Sequence, residues 1–314
     1  SSDRYQYIFP YYELEKGLFP NFENGYITFN SSGSNELINT NNLKTKIIND
    51  IKYESLDLFT DNGFQNNLNL YLKNLNTVAK NDANYRSSPQ TEFMSTIELT
   101  SSMPLINNSL ENSVNYLTPK MSLRYNPGDM KNYATDDRSI NVDNIFNINR
   151  LGINDTFEEG KSLTLGIDYK KERLSDINKY FEAKLATVIR DENEKFIPIK
   201  TTLNNKNSNI FGSISNKYND FLDIEYDFAL DNNLDKFEFN SINLNLNFEK
   251  LTSEFYFIEE RGVMGSTNSI ENSTTYEIDN RNFLTFGTRR NREIDLTEYY
   301  DLIYEYKNDC LTAG

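Results

Sequence analysis

The stretch 221–230, FLDIEYDFAL, decides the fold because its side chains alternate between apolar and acidic. Successive side chains of a β-strand point to opposite faces of the sheet. The stretch therefore predicts a strand with one apolar face and one face that carries Asp223, Glu225 and Asp227. Two such faces suit different surroundings, the first hydrocarbon and the second water.

Other segments repeat this two-residue period: KSLTLGIDYK (161–170), FEAKLATVI (181–189), SINLNLNFEK (241–250) and YDLIYEYK (300–307). In SINLNLNFEK the polar face consists of Asn243, Asn245 and Asn247. Weaker alternation between residues 25 and 125 predicts further strands. We expect about fifteen strands of about nine to twelve residues, the length that a tilted strand needs to cross a membrane. No segment shows a convincing helical period.

The predicted connections alternate in length. Short turns are expected at 60–63, 216–220, 249–252, 279–282 and 307–310, and long links at 76–92, 128–160, 191–207, 261–274 and 288–298. Short turns at one end and long loops at the other are typical of outer-membrane barrels. The short connection at 231–236 departs from this alternation. A soluble β-sandwich or a β-solenoid would also alternate, but the long strands and the charged polar faces favour a large antiparallel transmembrane β-barrel.

Composition excludes several classes of function. The 314 residues carry 47 acidic and 32 basic side chains, a net charge of −15, and no basic stripe, so we expect no nucleic-acid partner. No apolar run approaches the length of roughly 18 to 20 residues that a membrane-spanning helix needs. The 21 Tyr and 21 Phe indicate an ordered chain rather than an acidic disordered one.

The chain offers little for catalysis because it contains no histidine, the commonest component of triads and zinc sites. The row Asp223, Glu225 and Asp227 could be a paired-carboxylate site of the glycosidase kind, but a solvated lumen face explains it better. We therefore predict that the protein is not an enzyme and needs no cofactor or metal. We interpret both this acidic row and the row Asn243, Asn245 and Asn247 as lumen-facing.

Two further features have more than one interpretation. Arg289, Arg290 and Arg292 fall in a predicted long loop, where they are candidates for contacts with a phosphorylated lipid or are simply solvated. Cys310 is the only cysteine. It is a buried small side chain, a reactive thiol, or half of a disulfide whose partner lies outside this chain.

Four segments resemble the LptD family, outer-membrane lipopolysaccharide-assembly proteins also called OstA or Imp. They are LTEYYDLIYEYKNDCLTAG (296–314), NYLTPKMSLRYNPGDMKN (115–132), NIFNINRLGINDTFEEGKSLTLGIDYKKE (144–172) and SSDRYQYIFPYYELEK (1–16). The likeness covers essentially the whole chain, with gaps in the loops, and the final segment is its most specific part.

The resemblance implies a barrel of about 26 strands, so residues 1–314 are expected to be part of one C-terminal barrel domain. The family's N-terminal periplasmic domain, the first strands and the last strand are expected to be absent. The implied partners are lipopolysaccharide, an LptE-type lipoprotein that plugs the lumen, and a periplasmic LptA-type bridge that reaches the absent N-terminal domain. The implied location is the cell outer membrane.

The resemblance also implies a mechanism. The family inserts lipopolysaccharide into the outer leaflet, with sugars passing through a polar lumen and lipid leaving by a lateral gate between the first and last strands. Cys310 matches a family cysteine that forms a disulfide with the N-terminal domain, although family members often carry two adjacent cysteines where this chain has Asp309 and Cys310. The alternative is a porin-like or receptor barrel for small solutes; a barrel enzyme is a third possibility.

Overall fold

The computed structural model describes residues 6–38, 41–82, 84–110, 112–217, 219–307 and 312–313. It confirms the all-β prediction, since strands form nearly all of the regular structure. The strands are β1 (Gln6–Phe22), β2 (Gly25–Ile38), β3 (Asn42–Ser55), β4 (Leu58–Phe59), β5 (Gln65–Lys80), β6 (Gln90–Ser102), β7 (Leu105–Leu110), β8 (Ser113–Asn126), β9 (Gly160–Arg173), β10 (Asp176–Arg190), β11 (Ile210–Asn216), β12 (Leu222–Leu230), β13 (Phe237–Phe248), β14 (Leu251–Glu260), β15 (Asn268–Asp279), β16 (Asn282–Asn291), β17 (Leu296–Lys307) and β18 (Thr312–Ala313).

Two single-turn 3-10 helices, Ile199–Thr201 and Gly262–Met264, lie in the connections after β10 and β14. No helix in the described part of the chain is long and apolar enough to span a membrane.

The strands form one antiparallel sheet in which each strand pairs with its neighbours along the chain. Strands β3 and β4 both pair with β5, and β6 and β7 both pair with β8, so each of these two pairs is one strand interrupted by a short break. Among the described residues, β1 pairs only with β2 and β18 only with β17, so the sheet does not close. The sheet agrees with the prediction of an incomplete antiparallel barrel.

The connections differ in length between the two ends of the sheet. The end that holds the turns 23–24, 174–175, 249–250 and 280–281 has mostly short connections, whereas the other end holds the links 81–89, 127–159 and 191–209. Two predicted long links are wrong. Strand β16 continues to Asn291, which leaves only 292–295 as a turn, and β15 begins at Asn268, which shortens that link to 261–267.

Two groups of buried apolar residues make up the core. The larger joins the links 127–159 and 191–209 to one face of β10, β11 and β12; it contains Met130, Ile140, Val142, Ile145, Leu151, Ile153, Ala186, Val188, Ile197, Leu203, Phe211, Ala229 and Met264. The smaller lies between β3, β5 and β6, around Ile48, Leu75, Ala79, Tyr85 and Met94. We call the link 127–159 the inserted loop and the sheet face that it contacts the inner face.

Candidate functional site: the inner face and the inserted loop

The two faces of the sheet differ in chemistry. On β8 and β9 the inner face carries small polar side chains such as Ser122 and Thr164, which are buried beneath the inserted loop. Their neighbours Leu123 and Leu165 point to the opposite, outer face and are about 40% exposed, at 43% and 39%. An apolar face left exposed across many neighbouring strands fits lipid rather than water.

The inserted loop crosses the inner face from β3 to β12. The Phe157 ring lies 6.5 Å from that of Tyr71 on β5, while Ile140 belongs to the same buried cluster as Phe211 and Ala229. Near the middle of the loop, Phe146 packs against Gly166 so closely that a Cβ at Gly166 would lie 2.7 Å from the ring. The loop therefore fills part of the space beside the inner face.

A cluster of buried charges fixes the loop to the sheet. The Arg150 guanidinium of the loop, which is fully buried, donates Nε to Glu158 Oε2 at 2.7 Å and Nη2 to Glu158 Oε1 at 2.5 Å. Arg190 on β10 also contacts Glu158, and Arg124 on β8 lies 3.3 Å from it. Arg124 in turn donates to Glu98 on β6 at 2.8 Å. One ion cluster thus joins strands β6, β8 and β10 to two residues of the inserted loop, Arg150 and Glu158.

The surroundings set the ionisation of the two loop residues. Burial lowers the pKa of Arg150 to about 10, and the Glu158 carboxylate opposes this, so the guanidinium remains charged at neutral pH. Burial alone would raise the pKa of Glu158, but Arg150 and then Arg190 outweigh it and hold that pKa well below its usual range. Hydroxyls complete the cluster, since Arg150 donates to Thr164 at 2.9 Å and to Ser162 at 3.1 Å.

A second polar contact holds the later part of the inserted loop. The Asp155 carboxylate accepts hydrogen bonds from the hydroxyls of Tyr85, in the link 81–89, and of Tyr133, the latter at 2.6 Å. Burial raises the pKa of Asp155, and nearby lysines, Lys46 first among them, act in the opposite direction. Burial also raises the pKa of Tyr133 to about 12. Tyr133 therefore remains a hydrogen-bond donor at neutral pH.

The two polar rows interpreted as lumen-facing lie side by side on the inner face. Asp223 is paired in register with Asn245, Glu225 with Asn243, and Asp227 with Ser241. Strand β11 connects this face to the part that the inserted loop contacts, because Ser213 pairs with Asp227 on one side and with Lys184 on the other. Asn247, the third asparagine of its row, lies near the end of β13.

The acidic row is partly neutralised. The Lys217 ammonium lies 3.3 Å from both Asp223 and Glu225. Asp227 has no such partner among the described residues and lines a small cavity together with Ser139 and Asn141 of the inserted loop.

The structure places the three arginines differently from the prediction. Arg289 and Arg290 belong to β16 rather than to a long loop, and only Arg292 is in the turn. Arg289 pairs with Glu298 at 3.0 Å, and Arg290 pairs with Asp295 across the turn. The prediction failed because this run of polar residues shows no alternation between apolar and polar side chains. The cross-strand ion pair between Arg289 and Glu298 allows charged side chains to be accommodated in the strands. Arg292 lies 5.8 Å from the centre of the Phe257 ring.

One group of carboxylates in the described part of the chain lies close enough together for a cation, namely Asp191, Glu192 and Glu194 after β10. Asp191 and Glu192 are exposed. Burial raises the pKa of Glu194, and Arg190 lies 3.7 Å from its carboxylate. A neighbouring guanidinium and the raised pKa of Glu194 make this a poor cation site. Cys310 lies outside the described residues.

Sequence reasoning missed the ion cluster around Glu158. Arg124 and Glu98 could have been found as charged residues at inward positions of strands, where an unpaired charge is costly. Arg150 and Glu158 carry no such signal, since the inserted loop has no period and they meet Arg190 only in the folded chain.

An antiparallel sheet with a lipid-compatible outer face, a polar inner face and a loop folded against it defines an outer-membrane β-barrel protein. The model of the family described as LptD: LPS transport system D matches residues 54–284, and the chain belongs to this family. Its location is therefore the outer membrane, and its role lies in lipopolysaccharide transport.

The chain is similar to solved structures of Rhodopseudomonas blastica porin mutants. One aligns with 96% of this chain and 98% of its own length at 10% identity and a TM-score of 0.27; a triple mutant covers the same shares at 11% identity and a TM-score of 0.25. These scores are low, so the assignment rests on the family model. None of the curated proteins matches the chain.

Proposed function

We propose that this chain is part of the barrel wall of a translocon that inserts lipopolysaccharide into the outer leaflet of the Gram-negative outer membrane. The observation that carries the proposal is the sheet from β2 to β17, which carries rows of polar side chains on its inner face and apolar side chains on its outer face. Lipopolysaccharide is itself divided in this way, because its sugars are polar and its acyl chains are not.

The chemistry of the cargo dictates the route that we propose. Moving sugars through hydrocarbon would leave their hydroxyls without hydrogen bonds, whereas moving acyl chains through a wet lumen would expose apolar surface. A barrel that opens along one side solves both problems: the sugars pass along the inner face while the lipid leaves through a lateral gate. No residue of this chain is assigned to that gate.

The proposal includes no covalent step and no cofactor. We place residues 1–314 within one C-terminal barrel domain that acts with an N-terminal periplasmic domain. An LptE-type lipoprotein would plug the lumen, and an LptA-type bridge would deliver cargo to the periplasmic domain. The lumen-facing rows at Asp223, Glu225 and Asp227 and at Asn243, Asn245 and Asn247 would then line the path of the sugars.

We also propose that Arg292 is a phosphate contact for cargo near the outer mouth. It has no carboxylate partner among the described residues, whereas Arg289 and Arg290 would first have to leave their ion pairs. Arg292→Gln should reduce the cross-linking of lipopolysaccharide to this turn, and Arg281→Gln, in an exposed turn at the opposite end of the sheet, serves as its control. Equal cross-linking in both variants would exclude the contact.

Cys310 is proposed to form a disulfide with the N-terminal periplasmic domain. Strand β17 ends at Lys307, three residues before Cys310 in the sequence, at the end of the sheet that has mostly short connections, which in an outer-membrane barrel is the periplasmic end. Electrophoresis of the full-length protein from outer membranes should show an oxidised band that disappears on reduction and in Cys310→Ser. A wild-type protein that migrates identically with and without reductant would refute the disulfide.

Depletion of the full-length protein tests the transport function. Newly made lipopolysaccharide should stop reaching the cell surface, detected with an antibody to its sugars, and should return when expression is restored. If surface lipopolysaccharide stays normal while the uptake of small solutes falls, the protein is a porin-like barrel instead.

A further inference from the structure

A polar cavity of about 230 Å³ lies between the inner face and the inserted loop. Strands β2, β3 and β5 contribute Asn30, Lys52 and Lys73, and the loop contributes Asn149 and Asn154. The cavity is therefore built jointly by the barrel wall and by the loop that is folded against it, and none of its lining residues belongs to the ion cluster around Glu158.

The cations of this cavity are not equivalent. The Lys73 ammonium is buried and pairs with Asp50 at 2.7 Å. Lys52 forms no ion pair with any carboxylate in the described part of the chain, and its ammonium lies 5.4 Å from the centre of the Tyr71 ring. Lys52 is only partly buried, so its charge is available to an anion that enters the cavity.

The rest of the lining suits a sugar. Asn30, Asn149 and Asn154 offer amide donors and acceptors in several directions, which matches the many hydroxyls of a saccharide. The rings of Tyr71 and Phe157 border the same space, 6.5 Å apart and tilted by 51°, and give the apolar face of a sugar ring a surface to rest on. Carboxylates also line the cavity, Glu13 and Asp50, and Asp50 is already paired with Lys73.

Another part of the inner face is more acidic than the cavity, in whose lining two carboxylates balance two lysines. From β12 to β15 the inward positions hold Asp223, Glu225, Asp227, Glu254 and Glu271. An anionic group is therefore repelled more strongly by β12–β15 than by the cavity.

We propose that the cavity between the inner face and the inserted loop binds a phosphorylated sugar unit, with Lys52 contacting the phosphate and the three asparagines contacting the sugar hydroxyls. The inference deepens the proposed transport function, on which it rests, because it names one place where the cargo is held on its way along the wall. The site takes the sugar portion alone and makes no contact with acyl chains.

The test uses the full-length protein, purified from outer membranes in detergent with its lipoprotein partner. The probe is the core oligosaccharide released from lipopolysaccharide, used as isolated and after phosphatase treatment, with binding followed by calorimetry. Wild type should bind the phosphorylated form more tightly. Lys52→Gln should lose about tenfold in affinity for it, the size expected for one charge-assisted hydrogen bond, and should bind the dephosphorylated form like wild type.

Three variants serve as controls. Lys52→Arg should retain the affinity within about twofold because it keeps the charge. Lys161→Gln removes an exposed lysine away from the cavity and should change nothing. Asn154→Ala should weaken the binding of both forms of the oligosaccharide alike.

Two results would overturn the inference: equal affinity of Lys52→Gln and wild type for the phosphorylated probe, or no preference of wild type for that probe. Neither result would contradict the proposed transport function. That function is tested separately, by whether lipopolysaccharide still reaches the cell surface when the protein is depleted.

Discussion

Arg150 and Glu158 illustrate at the scale of single residues why the inserted loop keeps its position. Both side chains are fully buried, and their paired hydrogen bonds offset the cost of removing two charges from water. Replacing both partners with apolar side chains can be nearly neutral, but removing one leaves a buried charge without compensation. The main effect of the Arg150–Glu158 pair is therefore to fix the inserted loop in one position, and its contribution to the stability of the fold is smaller.

Arg150→Met should destabilise the packing of the loop by about 1.5–3 kcal/mol, because Glu158 would lose its paired hydrogen bonds but keep Arg190 and Arg124 as partners. Proteolysis of intact outer membranes would show this as faster cleavage between residues 127 and 159. Arg261→Met breaks an exposed ion pair at 2.8 Å and should cost less than about 1 kcal/mol. Cleavage of Arg150→Met at the wild-type rate would contradict the role of the cluster.

Asp155 provides a pH test. Because burial raises its pKa in the folded protein, the stability of the loop is fully present below the unfolded pKa of about 4 and declines as pH rises through the folded value. Asp155→Asn can still accept from both tyrosines and carries no charge. Its loop should resist proteolysis at least as well as wild type at pH 7, and the difference should vanish towards pH 4. A loop that is weaker in Asp155→Asn at pH 7 would refute this.

At the scale of elements, Gly166 on β9 allows the inserted loop to approach the sheet. A Cβ there would meet both the Phe146 ring at 2.7 Å and the Leu185 carbonyl oxygen at 3.1 Å, so the loop has to move to make room. Gly166→Ala should raise ion conductance through the full-length protein in planar bilayers by loosening the loop. Gly17→Ala is the matched control, since nothing lies within 4 Å of its Cβ position.

Unchanged conductance in Gly166→Ala, together with unchanged proteolysis of the loop, would show that Phe146 adapts without moving the loop. An equal rise in Gly17→Ala would show that the increase has nothing to do with the inserted loop.

The strands were predictable because a sheet with two different solvents on its faces imposes a two-residue period on the sequence. The polar rows at 223–227 and 243–247 were found in this way, and the structure pairs them in register. The inserted loop was predicted only as a long link. Its buried residues, such as Ile140 and Leu151, stand singly among polar residues and have no period, so their burial depends on contacts with distant strands.

At the scale of the whole molecule, acidic and basic side chains occupy different parts of the inner face. Strands β12 to β15 carry carboxylates on the inner face, while Lys52 and Lys73 lie on the same face of β3 and β5. An acidic wall should repel phosphorylated glycolipid and so reduce its residence there. The negative charge of strands β12 to β15 is thus expected to speed the transit of the glycolipid rather than to bind it.

Neutralising the acidic row by Asp223→Asn, Glu225→Gln and Asp227→Asn together should therefore slow lipopolysaccharide transport severalfold, because cargo would dwell on the wall. Pulse-labelled lipopolysaccharide reaching the cell surface gives the rate. The control is Glu249→Gln, which removes an exposed carboxylate in a short turn. An unchanged rate of lipopolysaccharide transport in the triple variant would refute the repulsion hypothesis.

Passage of the sugars along the inner face is best tested by photo-crosslinking at two adjacent residues of β5 in the full-length protein. Asn69 faces inward, where it donates to Glu98 at 3.2 Å, and Leu70 faces outward near the end of the sheet that holds the short turns. With p-benzoylphenylalanine at position 69, pulse-labelled lipopolysaccharide should cross-link and then disappear during the chase, while position 70 should give none. Equal cross-linking at both positions, or none at position 69, would contradict the path proposed here.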